Sequence, residues 1–347
     1  MKKIILTIDY EIYFGRETGS VEDCMIDPTN KLMDILDLND SKMTVFWDIL
    51  HFHKLLEMEE KHPELKSDRI AIQNQIFDLH KRGHDIQLHI HSHWLDSTFI
   101  DGKWVFTYDR FKVHNLTKGD RVEDINSVLG CVTYAKNLME RIVRQVDEHY
   151  KVTTFRAGGY LIEPFQELCT AFIQNNITVD SSVCPDMINN NDIFSYNFKN
   201  YPKELIYRFS NDISRINNKG RFIEITVTTI RIPLLTKIYF TLLKRYKYKN
   251  FRSELKGTGS GEHKIINVKG YDKIRKYILE NNFHQLTTDD TFREKYNYLL
   301  SRTRDYSTQI LHQKILNQHT ISLLRSKLSK YDIKFISIKN FLEIRLI

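Results

Sequence analysis

The chain has 347 residues, 41% of them hydrophobic, with a formal net charge of +7. That is apolar material for a large α/β core, and the composition excludes a disordered, collagen-like or disulfide-built chain. The four cysteines, Cys24, Cys131, Cys169 and Cys184, lie far apart with no C-x-x-C pair, which excludes a zinc ribbon or thioredoxin-like site and makes reduced thiols the default.

The first segment, "MKKIILTIDYE", begins with the charge of a secretory leader. Its apolar run covers only Ile4 to Ile8 before Asp9 and Glu11 intervene, so it reads as a first strand and not as an export signal. No segment approaches ~18 apolar residues, so no spanning helix is expected. The expected location is cytoplasmic, at most peripheral to a membrane.

Further strand-length runs follow at "KMTVFW" (42–47), "DIQL" (85–88), "VTTF" (152–155), "ITVD" (177–180), "FIEITV" (222–227), "KIINV" (264–268) and "IKFISI" (333–338). Between them lie helical patterns such as 124–150, where Ile125, Val128, Leu129, Val132, Leu138, Ile142 and Val146 fall largely on one stripe. Strand–helix alternation over this length predicts a parallel sheet with crossover helices, open or closed into a barrel. The stretch 284–330 reads as polar, helical and strandless, an elaboration before the last strand. With no linker or repeat, 1–347 reads as a single domain.

In such folds, active groups gather where the strands end. The first strand ends with Asp9 and Glu11, two residues apart and therefore on one side while the chain stays extended. The third ends at "LHIHSHW", the fourth at "FRAGG" with Arg156 and Gly159, the fifth at "VDSSV" with Asp180. If the chain turns helical at His89, then His89 and His93 share a face at i and i+4, and His91 points away. That reading is preferred because "DIQL" is already a short strand. Glu11, His89 and His93 then leave an open coordination position, as catalytic zinc-type sites do, and His91 is a supporting residue.

In this order "TIDYE", "HIHSH", "FRAGG", "DSSV" and "FISIKNFLE" resemble the NodB-homology polysaccharide deacetylases, a carbohydrate esterase family, over nearly the whole chain. The resemblance implies an irregular (β/α) barrel of about seven parallel strands with helical insertions. It implies Asp9 as base, Glu11, His89 and His93 as metal ligands, and Arg156 as the group orienting the base. One divalent cation is implied, Zn2+ first, with Co2+, Ni2+ or Mn2+ also fitting. The metal and an amide near Gly159 would stabilise the oxyanion. The substrate implied is an N- or O-acylated carbohydrate, a precursor of a surface polysaccharide. Against that pattern, the late histidine that protonates the leaving group appears replaced by Tyr271, and its aspartate by Val183. His263 and His114 are the substitutes considered.

Two other readings compete. "LHIHSH" also resembles the H-x-H strand motif of PHP-type phosphoesterases and amidohydrolases, in which His89 and His91 would be the metal pair. A carbohydrate-binding protein without turnover is the third. The segment 231–257 carries eight Lys/Arg and one acid. Its stripe Ile232, Leu235, Ile238, Tyr239, Leu242, Leu243 and Tyr246 reads first as a barrel-covering helix, and second, over 231–252, as a contact to an anionic membrane. No base-reading module is visible, so no nucleic-acid partner is expected.

Overall fold

The computed structural model describes residues 1–119, 121–190, 193–248, 282–329 and 333–345. In chain order the elements up to the middle of the chain are β1 (Lys2–Tyr10), α1 (Asp27–Asp37), β2 (Thr44–Asp48), α2 (Ile49–Met58), α3 (Glu64–Lys81), β3 (Asp85–Ile90), β4 (Thr98–Ile100), β5 (Lys103–Val105), α4 (Val128–Val143), β6 (Thr154–Ala157), α5 (Cys169–Gln174) and β7 (Val179–Asp180). Then come β8 (Ile188–Asn189), β9 (Tyr196–Asn197), β10 (Ile206–Phe209), β11 (Phe222–Ile225), β12 (Thr229–Arg231), α6 (Leu234–Tyr246), β13 (Phe283–Gln285), α7 (Arg293–Ser301), β14 (Tyr306–Leu311), α8 (Gln318–Ser329), β15 (Ile333–Ile336) and α9 (Ile338–Arg345).

Nine strands form one sheet in the order β10-β11-β7-β6-β3-β2-β1-β14, with β15 also on β1. Every pairing in it is parallel except β10–β11. Strand β1 has β14 along one edge, while its other edge is shared by β15 beside residues 2–5 and β2 beside residues 7–10. Irregular backbone links the far side of β14 towards β11: Thr228 N–H donates to Thr308 O, Leu286 N–H to Thr228 O and Ile310 N–H to Leu286 O. The sheet thereby curls into an irregular (β/α) barrel. Its strands are covered on both faces, which is why Ile4, Leu6, Ile8, Val45, Ile86 and Leu88 are all fully buried.

The long predicted helix is shorter than its pattern, running as α4 from Val128. Ser127 ends it at the front, its Oγ accepting from Gly130 N–H at 3.0 Å. Two expectations fail here. Residues 284–330 are not strandless, because β14 lies in that stretch beside the first strand. Its polar Gln309 is buried with its Oε1 accepting from Tyr296 Oη at 2.7 Å, and the Thr308 backbone N–H donates to Thr228 Oγ1 at 2.9 Å. The third strand also does not stop at Leu88 but continues to Ile90, and His91 remains extended. The predicted strand 264–268, Tyr271 and His263 lie outside the described residues. No helix among the described residues is long and apolar enough to cross a membrane.

Buried neutral histidines make the fold acid-sensitive. His51 is 1% exposed and stacks on Trp94 with ring centroids 4.6 Å apart. Burial pulls its imidazole down to about 3, and those of His84 and His284 to about 4 and about 3. The unfolded chain takes up these protons near the ordinary histidine value while the folded chain does not. Stability is therefore complete above about pH 6.5 and falls as the pH drops. At pH 5 the His51 contribution is about 2 kcal/mol. Urea unfolding at pH 7 and pH 5 is expected to show a fall in midpoint that His51→Phe reduces by that amount. An unchanged fall would rule His51 out as its source.

Candidate active site

The parallel register brings the strand-end groups together. His89 on β3 lies beside Arg156 on β6 and Asp48 on β2, and Ile8 lies beside Leu311, so the residues that follow, Asp9 and His312, meet at one rim. Asp9, Glu11, His89, His91 and Arg156 are each at most 4% exposed.

Arg156 is fully buried and immobilised. Its Nε donates to Ser181 O at 2.7 Å, its Nη2 to Ser181 Oγ at 3.1 Å, and its plane lies 4.1 Å from the Phe46 ring. Its Nη1 donates to Asp9 Oδ1 at 2.7 Å. Burial pushes the Asp9 carboxyl up, but the Arg156 guanidinium beside it outweighs burial and holds Asp9 ionised. The second oxygen, Oδ2, faces His312 Nε2 at 3.5 Å.

Beside this pair, Glu11 Oε2 lies 3.3 Å from His89 Nε2 and 2.9 Å from His91 Nε2. Among the described residues, Glu11, His89 and His91 are the group whose donor atoms converge closely enough to hold a metal, all within 4.8 Å of one another. Glu11 Oε2 and His89 Nε2 are buried without an aligned hydrogen bond, as atoms facing a cation site would be. His89 Nδ1 donates to Arg156 O at 2.8 Å in the neutral ring, which turns the Nε2 lone pair towards Glu11. The other oxygen of Glu11 accepts from Lys314 Nζ at 2.7 Å. Burial would raise the Glu11 carboxyl, yet Lys314 and His91 hold it well below the usual range. The donor set of one carboxylate and two imidazoles suits a divalent transition metal.

The alternating pair His89 and His91 replaces the expected His89 and His93. The cause is the extended chain: with β3 continuing past Leu88, residues two apart share a face. His91 N–H leans on Asp48 Oδ1 at 3.4 Å, and the chain then makes a tight 3-10 turn over residues 92–96. That turn carries His93 into an aromatic nest, stacked on Phe111 at 4.8 Å and edge-on to Phe14 at 4.8 Å between ring centroids. Gly158 makes room for the His91 ring, since a Cβ there would lie 2.7 Å from His91 Nδ1. Gly159 follows with φ +61° and packs under Phe111.

Asp180 is fully buried but faces elsewhere. Its carboxylate accepts from Ser182 N–H and Ser182 Oγ, both at 2.9 Å, and Ser182 Oγ in turn accepts from Ala157 N–H at 2.9 Å. Asp180 thus braces the strand end that presents Arg156 and does not touch Asp9 or Glu11 in these contacts. Val183 N–H donates to Glu224 Oε1. His114 is also occupied, its Nε2 meeting Pro164 O at 3.1 Å.

The residues that sequence reasoning missed are His312 and Asp289. His312 Nδ1 lies 2.7 Å from Asp289 Oδ2, and its backbone N–H also donates to that carboxylate. Burial would lower the His312 imidazole, but Asp289, Asp9 and Glu11 raise it instead. The leaving-group dyad thought absent thus has candidates at a different place in the chain. The signal was "QILH" (309–312), an apolar pair with a histidine at a strand end.

No protein-family model matches the chain, and no curated protein matches it. Among solved structures it is similar to a peptidoglycan deacetylase from Bacillus subtilis, at 10% identity, TM-score 0.38, covering 99% of this chain and 91% of that one. It is similar to a polysaccharide deacetylase from Bacillus cereus, at 12% identity, TM-score 0.35, covering 97% and 92%. It is also similar to a PuuE allantoinase, at 11% identity, TM-score 0.43, covering 97% and 88%. These likenesses are loose, and the side chains at the rim carry the functional reading.

Proposed function

We propose that the protein is a metal-dependent hydrolase that removes an acyl group from a carbohydrate, with acetyl the first candidate. The observation that carries this reading is the facing of Asp9 Oδ2 and His312 Nε2 beside the Glu11–His89–His91 cluster. Hydrolysis of an amide or ester needs a proton acceptor for the attacking water and a proton donor for the departing nitrogen or oxygen. Asp9, ionised and aimed by Arg156, takes the water's proton as its oxygen bonds to the acyl carbon. His312, kept protonated and oriented by Asp289, delivers a proton to the leaving atom as the acyl bond breaks. Glu11, His89 and His91 would hold a divalent cation, Zn2+ foremost, which supplies Lewis acidity towards the acyl oxygen. The amide near Gly159 is the proposed further donor to the developing oxyanion. The motif resemblance supports a surface-polysaccharide precursor as substrate and a cytoplasmic location.

The test is acetate release from N-acetylglucosamine oligosaccharides by zinc-loaded protein. Asp9→Asn is expected to lower kcat by about 10²–10⁴ while leaving the bound metal, measured by elemental analysis, unchanged. One observation favours a second reading: the alternating pair His89 and His91 is what an H-x-H phosphoesterase uses. Phosphate release from phosphate esters, with two or more metals per chain and no acetate from glycans, would replace the first reading by the second.

A further inference from the structure

Helix α6 does not cover the barrel with its apolar stripe, as its pattern led us to expect. The side chains it buries are Lys237 and Phe240. Facing solvent instead are Leu235 at 81% exposure, Tyr246 at 73%, Tyr239 at 52%, Leu242 at 48% and Ile238 at 43%. At the α-helical repeat these five occupy an arc of roughly 100°, on the side opposite Phe240. A contiguous exposed apolar face of this kind marks an interaction surface.

Cations lie beside the stripe and beneath the helix. On one side, a cavity of about 640 Å³ has Arg231 and Arg302 in its wall next to Leu234. Beneath the helix, on the side away from the stripe, a cavity of about 460 Å³ is lined by Phe240, Lys237, Lys244, Arg245 and Lys295, with Asp290 as its carboxylate. Asp290 is engaged by Lys244 at 2.5 Å. Among the described residues neither Arg231 nor Arg302 forms an ion pair. Helix α6 itself contains no acidic residue.

We infer that α6 is a docking helix for an anionic lipid surface, with its apolar stripe in the acyl boundary and the exposed Arg231 and Arg302 beside it receiving lipid phosphates. Charge decides between this occupant and a second copy of the chain. A two-fold contact through α6 sets the same cations against themselves, whereas an anionic bilayer satisfies stripe and cations together. The inference does not depend on the hydrolase reading.

Sedimentation of the whole protein with vesicles tests it, using phosphatidylcholine alone and phosphatidylcholine mixed with phosphatidylglycerol. Expected are binding to the mixed vesicles at least tenfold stronger than to the neutral ones, and weakening with salt. Leu235→Asp with Leu242→Asp is expected to abolish binding, and Arg231→Glu with Arg302→Glu to weaken it at least tenfold. All four side chains are exposed, and an unchanged Tm confirms that the variants fold. Equal binding to both vesicles, or binding indifferent to the Leu235→Asp/Leu242→Asp change, overturns the proposal. So does a dimer in light scattering that dissociates in that variant without any vesicle binding. Inorganic phosphate that displaces the protein from vesicles more strongly than chloride of equal ionic strength also overturns it, by assigning the cations to a soluble anion.

Discussion

Replacing His312 by alanine is expected to lower kcat for an N-acetylated sugar by about 10²–10⁴, the range over which a positioned proton donor contributes. The dependence on leaving group should separate this role from a merely structural one. An amine cannot depart as an anion, so the amide substrate should show the whole loss. An aryl acetate releases a phenolate that needs no proton, and with it the loss should shrink to less than about tenfold. Asp289→Asn should follow the same pattern more weakly, because it removes the charge that holds His312 protonated but keeps an amide oxygen as acceptor and leaves the ring. Equal losses with amide and aryl ester in His312→Ala would exclude His312 as the donor.

Exchange of His91 for alanine is expected to weaken zinc binding by more than about 100-fold, the upper end of what removing a supporting partner of a ligand does. Replacement of His93 by phenylalanine should leave zinc affinity within about tenfold, because that ring lies among Phe14, Phe106 and Phe111 and an aromatic replacement keeps the packing. Competition of each protein with a chromogenic zinc chelator measures both. The opposite order, with His93 indispensable and His91 dispensable, would restore the helical arrangement and remove the geometric basis of the cluster.

The contrast between these two histidines also shows where sequence reading reached its limit. Asp9, Glu11, His89 and Arg156 were legible because parallel strands end in polar residues at a common rim, and short apolar runs mark those ends. The conformation after Leu88 was not legible, because neighbours decide it. Pairing with β6 extends the strand to Ile90, and the Asp48 carboxylate receives the His91 amide. A polar strand such as β14 is equally hidden. Its Gln309 is held inside by Tyr296, distant in sequence, which donates to the Gln309 Oε1. Missing that strand meant missing His312 at its end, and with it Asp289. Asp180 also stands at a strand end, where Ser182 N–H and Oγ engage its carboxylate. For α6 the periodic stripe was real, yet periodicity alone does not say which face meets the protein.

Strand β1 and the residue that follows it supply Asp9 and Glu11, yet the strand's edges are completed by segments about 300 residues further along the chain. Thr7 Oγ1 donates to Gln309 O across a separation of 302 residues, and Lys2 Nζ reaches Thr303 O across 301. Loop closure over such spans is slow relative to local helix formation. During synthesis the opening segment therefore waits, its outer edge unpaired, until residues 306–336 have been added. On the proposed metal site, zinc uptake during refolding is expected to follow this topological closure of the chain.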